Sequence, residues 1–158
     1  MPGQNTRDQL DALGYERPLV AIDGAASSFL ALSLAIATAS ETAKLIVAAV
    51  SPNVEVSEPW VAEAASPETL QRDVDRELQE KLDDALGRIP EDVSAEAVLL
   101  RGGVGPAIIE LSRKSDCDVI VLGARGLGRI GAALGSVSQY VLHHADTPVL
   151  IAHQRTPR

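Results

Sequence analysis

Apolar residues fall along this chain in short continuous runs rather than in strict alternation. Leu19, Val20, Ala21 and Ile22 form the first run, closed by Asp23-Gly24. Residues 45–50, 97–100, 119–122 and Val149–Ala152 form four more. Short apolar runs bounded by turn residues predict strands covered on both faces, the habit of a parallel sheet. Between the runs the spacing changes. Phe29, Leu30, Leu32, Leu34 and Ile36 lie in an Ala-rich stretch and predict a helix that is apolar on nearly every face. Leu70, Val74, Leu78, Leu82, Leu86 and Ile89 recur every three or four residues, one stripe of a long helix whose other faces are acidic. Ser66 is placed to cap that helix, Pro67 suits its first turn, Glu68 suits its positive end, and Pro90 stops it. Two shorter helices are predicted over 106–112 and 136–143, and residues 51–66, with Pro52, Pro59 and Trp60, read as a loop.

Strands alternating with helices predict an α/β fold, with a parallel sheet, helices on both faces and right-handed crossovers. A length of 158 residues suits one domain. Residues 1–17 are polar and of mixed charge, and read as an arm that holds at most one helical turn near residues 9–13. The domain is expected over 18–154 and a tail over 155–158. Ligands of such sheets sit beyond the carboxyl ends of the strands. Chemistry is therefore sought at Asp23-Gly24, at Val50-Ser51, at residues 101–105 and at residues 123–135.

Composition removes several classes of function. Aromatic residues are 3% of the chain, represented by Tyr15, Phe29, Trp60 and Tyr140, too few for a single-strand stacking platform. The net charge is -8, from 14 basic and 22 acidic residues, which disfavours any nucleic-acid backbone. Neither of the longest uncharged stretches, 24–40 and 131–145, reaches the roughly 20 apolar residues of a membrane span. A single cysteine, Cys117, and a polar start without an apolar signal core point to the cytoplasm.

The fourth run leads into a glycine-rich loop, with glycines at 123, 126, 128, 131 and 135, followed by Ser136-Val137-Ser138 at a helix start. Glycine lets a ligand approach the backbone closely, and a helix start offers N–H groups to an anion. Residues 119–145 contain no Asp or Glu, where even placement would put about four, and Arg125 and Arg129 leave the stretch positive. Carboxylates are kept away from this place, as an anion site requires. The competing view is a turn that only joins a strand to a helix.

Other patterns carry less. Gly126 to Gly131 matches G-x-G-x-x-G, but it trails the fourth strand rather than following the first, so a dinucleotide site is disfavoured. No G-K-[ST] phosphate loop occurs. Ser136 and His143 are seven residues apart on one helix, about 10 Å along its axis, too far for a triad with Asp146. His143 and His144 suit a helix C-terminus, and Cys117 suits the core. No catalytic residue and no metal ligand is expected.

Gly123-Ala124-Arg125-Gly126, then eight residues, then Gly135-Ser136, resembles the universal stress protein family, whose nucleotide-binding members carry G-x-x-G, nine residues and G-[ST]. Residues 20–24 resemble that family's first strand and aspartate turn, and residues 135–150 its end; the likeness runs over about 18–152. The resemblance implies a Rossmann-like, adenine nucleotide alpha-hydrolase-like sheet of order 3-2-1-4-5 and a homodimer through Val149–Ala152. It implies ATP as ligand, with Mg²⁺. Backbone at Ala21 and Val50 would face adenine, and the Asp23-Gly24 turn would face ribose. Gly123, Arg125, Gly126, Gly128, Gly135, Ser136, Val137 and Ser138 would surround phosphate.

Two departures stand out. The phosphate loop is one residue shorter than the usual pattern, and Ala25 and Ala26 stand where serine and proline are frequent. These leave AMP or cyclic AMP as alternative ligands. The expected role is a stress-response regulator or sensor with little catalysis. The alternatives are a slow ATPase and a nucleotide-free module that docks a protein through residues 29–39 or the Trp60 loop.

Overall fold

The computed structural model describes residues 14–56, 65–124 and 134–153. Five parallel strands stand in the order β3-β2-β1-β4-β5. They are β1 (Pro18–Ala21), β2 (Lys44–Ser51), β3 (Ser94–Arg101), β4 (Val119–Gly123) and β5 (Val149–Ala152). Four helices connect them: α1 (Ala26–Thr38), α2 (Pro67–Gly87), α3 (Val104–Lys114) and α4 (Ser136–His144). The expected fold class and strand order are both present.

The unbroken apolar runs have their cause in two cores. Val20, Val47 and Val121 point into one, with Leu32 of α1 and Leu82 of α2. Their chain neighbours Leu19, Ile46 and Ile120 point into the other, with Ile108 of α3 and Val141 of α4. Successive side chains of a strand face opposite ways, so a sheet covered on both faces needs apolar residues at every position. β3 lies at an edge and pairs with β2 over its full length, from Lys44↔Ser94 to Ser51↔Arg101. Ser94 and Glu96 are exposed there, so β3 begins with polar residues and runs longer than its apolar residues 97–100 suggest.

Helix ends also moved. Ser66 Oγ accepts the Thr69 N–H at 3.2 Å, as the cap signal requires. α2 stops at Gly87, three residues before Pro90. α3 starts at Val104 and not at 106, because Pro106 in a first turn lacks only an N–H that would have no partner anyway. Residues 15–17 of the expected arm are tied to the sheet. Tyr15 N–H donates to the Thr38 carbonyl at 2.8 Å, and Asp118 accepts from the Glu16 and Arg17 N–H groups at 2.6 and 3.0 Å. The possible turn near residues 9–13 and residues 57–64 of the expected loop, Trp60 among them, lie outside the described residues.

Cys117 is buried, and that burial pushes its thiol up to about 11, so it is protonated and unreactive at neutral pH. His144 stacks on Tyr140, ring centres 4.0 Å apart, with Nδ1 2.8 Å from the Tyr140 carbonyl, which suits the end of α4. No described helix is long and apolar enough to cross a membrane.

Candidate functional site

The carboxyl ends of β1, β2 and β4 open into a cavity of about 730 Å³, within the range of small-molecule sites. Its floor is apolar: Ala21, Ala48, Val50 and Leu122 contribute to it. Three helices begin at the carboxyl edge of the sheet, namely α1 after Ala25, α3 after Gly103 and α4 after Gly135. None has a side-chain cap or an acidic residue in its first turn. The contrast is α2, which has both Ser66 as cap and Glu68 in its first turn. A helix start leaves N–H groups without intrahelical partners and carries partial positive charge. Ser27 of α1, Val104 of α3 and residues 135–138 at the start of α4 all line the cavity.

The expected residues are distributed as follows. Ala21, Asp23, Val50, Gly123, Gly135, Ser136, Val137 and Ser138 line this one cavity. Gly24 does not line it but shapes the turn beside it, with φ +85. Arg125, Gly126 and Gly128 lie outside the described residues.

Local geometry assigns several of these a structural task as well. Asp23 Oδ1 accepts the Ala25 N–H at 2.8 Å, bracing the turn from β1 into α1. Gly123 is required by packing: a Cβ there would stand 2.4 Å from the Ser27 carbonyl carbon and oxygen. Ser138 is buried at 3% exposure with its hydroxyl 3.5 Å from the Gly123 carbonyl. It is therefore turned toward the protein, whereas Ser136 is exposed.

The family model that describes the universal stress protein family matches residues 14–153. The chain belongs to the universal stress protein family. A universal stress protein of Thermus aquaticus, from the QAH/OAS sulfhydrylase 3' region, is 35% identical over 142 residues, 87% of this chain and 98% of its own. One from Mycobacterium tuberculosis is 34% identical over 139 residues, 86% of this chain but 45% of its own length. The chain thus spans nearly all of one relative and about half of the other. Among solved structures, a universal stress protein in complex with cAMP is 29% identical, with TM-score 0.58, covering 89% of this chain and 98% of that one.

Within this universal stress protein, the wall that sequence reasoning missed is α2. Its C-terminal half packs on the sheet through Leu82 and Ala85. Toward its N-terminal half Val74, Glu77, Leu78 and Lys81, from the middle of the helix, line the cavity. A polar clamp holds that half in place. Ser51 Oγ donates to Asp75 Oδ1 at 2.6 Å. Gln71 Nε2 donates to Ser51 Oγ at 2.8 Å and to the Pro52 carbonyl at 3.2 Å, while Gln71 Oε1 accepts the Val54 N–H at 2.9 Å. Arg101, at the end of β3, pairs with Asp75. The length of the apolar stripe, which starts at Leu70, was the available signal: a helix of 21 residues is about 31 Å long, more than the roughly 26 Å of an eight-residue strand.

The Ser51 hydroxyl, aided by Gln71 and Arg101 and opposed by desolvation, holds the Asp75 carboxyl below its ordinary value. A lowered carboxylate stabilises the fold above its unfolded pKa of about 3.9, and that stabilisation is lost as pH falls through the folded value. Asp75→Asn is therefore expected to melt below the wild type from pH 7 down to about pH 5, with the gap closing below about pH 4. Thermal unfolding followed by circular dichroism across that range checks this. A gap that persists at low pH would show that the carboxylate charge is not what holds the clamp.

Proposed function

We propose that this protein binds an adenine nucleotide in the cavity at the carboxyl edge of the sheet and acts as a regulator or sensor rather than as a fast catalyst. One observation carries the reading: three uncapped, acid-free helix starts meet over an apolar floor. An apolar base fits against Ala21, Ala48 and Val50, and an anion fits at the N–H groups of residues 136–138. Asp23, on the turn between them, suits ribose hydroxyls, since a carboxylate accepts their protons strongly. Arg125, Gly126 and Gly128 complete the phosphate side in this reading. The relative solved with cAMP supports the ligand class.

ATP with Mg²⁺ is the first ligand to test, and AMP and cAMP are the next. Among the described residues no group of three or more His, Cys, Asp or Glu side chains could hold a metal. Mg²⁺ would therefore arrive on the phosphates, its usual manner of binding. The two carboxylates that line the cavity each have a partner, Asp23 the Ala25 N–H and Glu77 the Lys81 ammonium. The proposal extends to a homodimer through β5, an edge strand whose outer backbone groups can pair with a second copy.

Calorimetric titration of nucleotide-free protein with Mg·ATP, AMP and cAMP tests the reading. Micromolar binding of at least one is expected. Failure of all three would overturn it and leave a protein-docking role as the better account. Sustained phosphate release from ATP would move the protein among slow ATPases.

A further inference from the structure

Lys81 is the one cation among the described residues that line the cavity, and it shares that lining with two carboxylates, Asp23 and Glu77. It is also the least exposed cation of the described ion pairs, at 31% against 53% or more for the others. Its place is built. Gly24 takes φ +85, and a Cβ there would meet the Cδ and Cε of Lys81 at 2.7 and 2.8 Å. The lysine stem therefore packs against the turn between β1 and α1, and the residue lines the cavity beside that turn. The head is held by Glu77, with Nζ 2.7 Å from Oε1.

Glu77 is 67% exposed and one helical turn away on the same helix. Ion pairs of this kind contribute little to stability, so such a partner is readily exchanged. A phosphate entering this cavity meets two carboxylates, and a nearby cation must offset them. A lysine ammonium is a compact point charge with three donors on a flexible stem, suited to changing partners.

We propose that Lys81 is an exchangeable phosphate ligand of this cavity, parked on Glu77 in the free protein and transferred to the phosphate of a bound nucleotide. The inference rests on the nucleotide-binding reading above and adds a residue of α2 to it.

The test compares the full-length wild type with Lys81→Met, which keeps the stem over Gly24, and with Glu77→Gln. Calorimetry with adenosine and with AMP separates base from phosphate. Lys81→Met is expected to weaken AMP about tenfold and to leave adenosine unchanged, as loss of one charge-assisted contact predicts. Glu77→Gln is expected to tighten AMP about threefold, because it releases Lys81 and removes one negative charge from the cavity. Equal AMP affinity in wild type and Lys81→Met, or equal weakening of adenosine and AMP, overturns the assignment.

Tripolyphosphate provides the independent arm. It is expected to raise the melting temperature of the wild type more than that of Lys81→Met. If none of Mg·ATP, AMP and cAMP binds the wild type, the nucleotide reading fails. In that case a tripolyphosphate shift that depends on Lys81 still supports the phosphate assignment, and a shift indifferent to Lys81 overturns it.

Discussion

Gly123→Ala is expected to destabilise the protein by about 1–3 kcal/mol, at the upper end of that range, and to abolish nucleotide binding. The added Cβ would stand 2.4 Å from the carbonyl carbon and oxygen of Ser27 and 2.8 Å from the Ser28 nitrogen. These are backbone atoms of the first turn of α1, so no side-chain rotation relieves the contact. Either β4 bends at its last residue or α1 moves off the sheet. Both shift the helix starts that converge on the cavity, so binding falls with stability. Urea unfolding measures the first effect as a lower midpoint at unchanged slope, and calorimetry measures the second. A variant with wild-type stability would show that β4 and α1 do not approach this closely.

Ser136→Asp is expected to move stability and binding in opposite directions. Ser136 is the first residue of α4, after an N-cap, Gly135, that offers no side-chain acceptor. A carboxylate there complements the helix dipole and is expected to stabilise the fold by about 0.3–1 kcal/mol. The same carboxylate would occupy the place proposed for phosphate. Like charges about 4 Å apart repel by about 4 kcal/mol at an effective dielectric of about 20. Half of that lowers affinity about thirtyfold. AMP and ATP affinity should therefore drop by about thirtyfold or more, while adenosine, which lacks the charge, should be spared. A variant that melts higher and still binds AMP as the wild type does would place the phosphate elsewhere.

Much of this architecture is readable one residue at a time. The apolar run in β2, buried on every side chain from Leu45 to Ser51, announces a strand with helices on both faces. Ser66, Pro67 and Glu68 mark the start of α2 to the residue. Residues 119–145 hold no acid, and the helix start at Ser136 falls within them. These signals are local: strand burial, helix capping and the sign of charge are each set by a residue and its near neighbours in sequence. The spacing of glycines around residues 123–136 is local too, and it was enough to point to the universal stress protein family, to which the chain belongs.

Other features exist only once the chain is folded. Periodicity places Val74, Leu78 and Lys81 on one side of α2 but says nothing of how far that helix outruns the sheet. Whether those residues meet core or cavity depends on where Leu82 and Ala85 dock. Ser51 and Asp75 are 24 residues apart and Asp75 and Arg101 are 26 apart, so their clamp has no signature in either segment. Gly123 reads as one more glycine of a ligand loop, yet its Cβ is forbidden by Ser27, nearly a hundred positions away. Sequence alone thus determined the elements and their order along the chain, because these follow from short-range propensity and patterning. The cavity wall, its lysine and its clamp were decided by tertiary packing, because they depend on the relative height and angle of elements that no local pattern records.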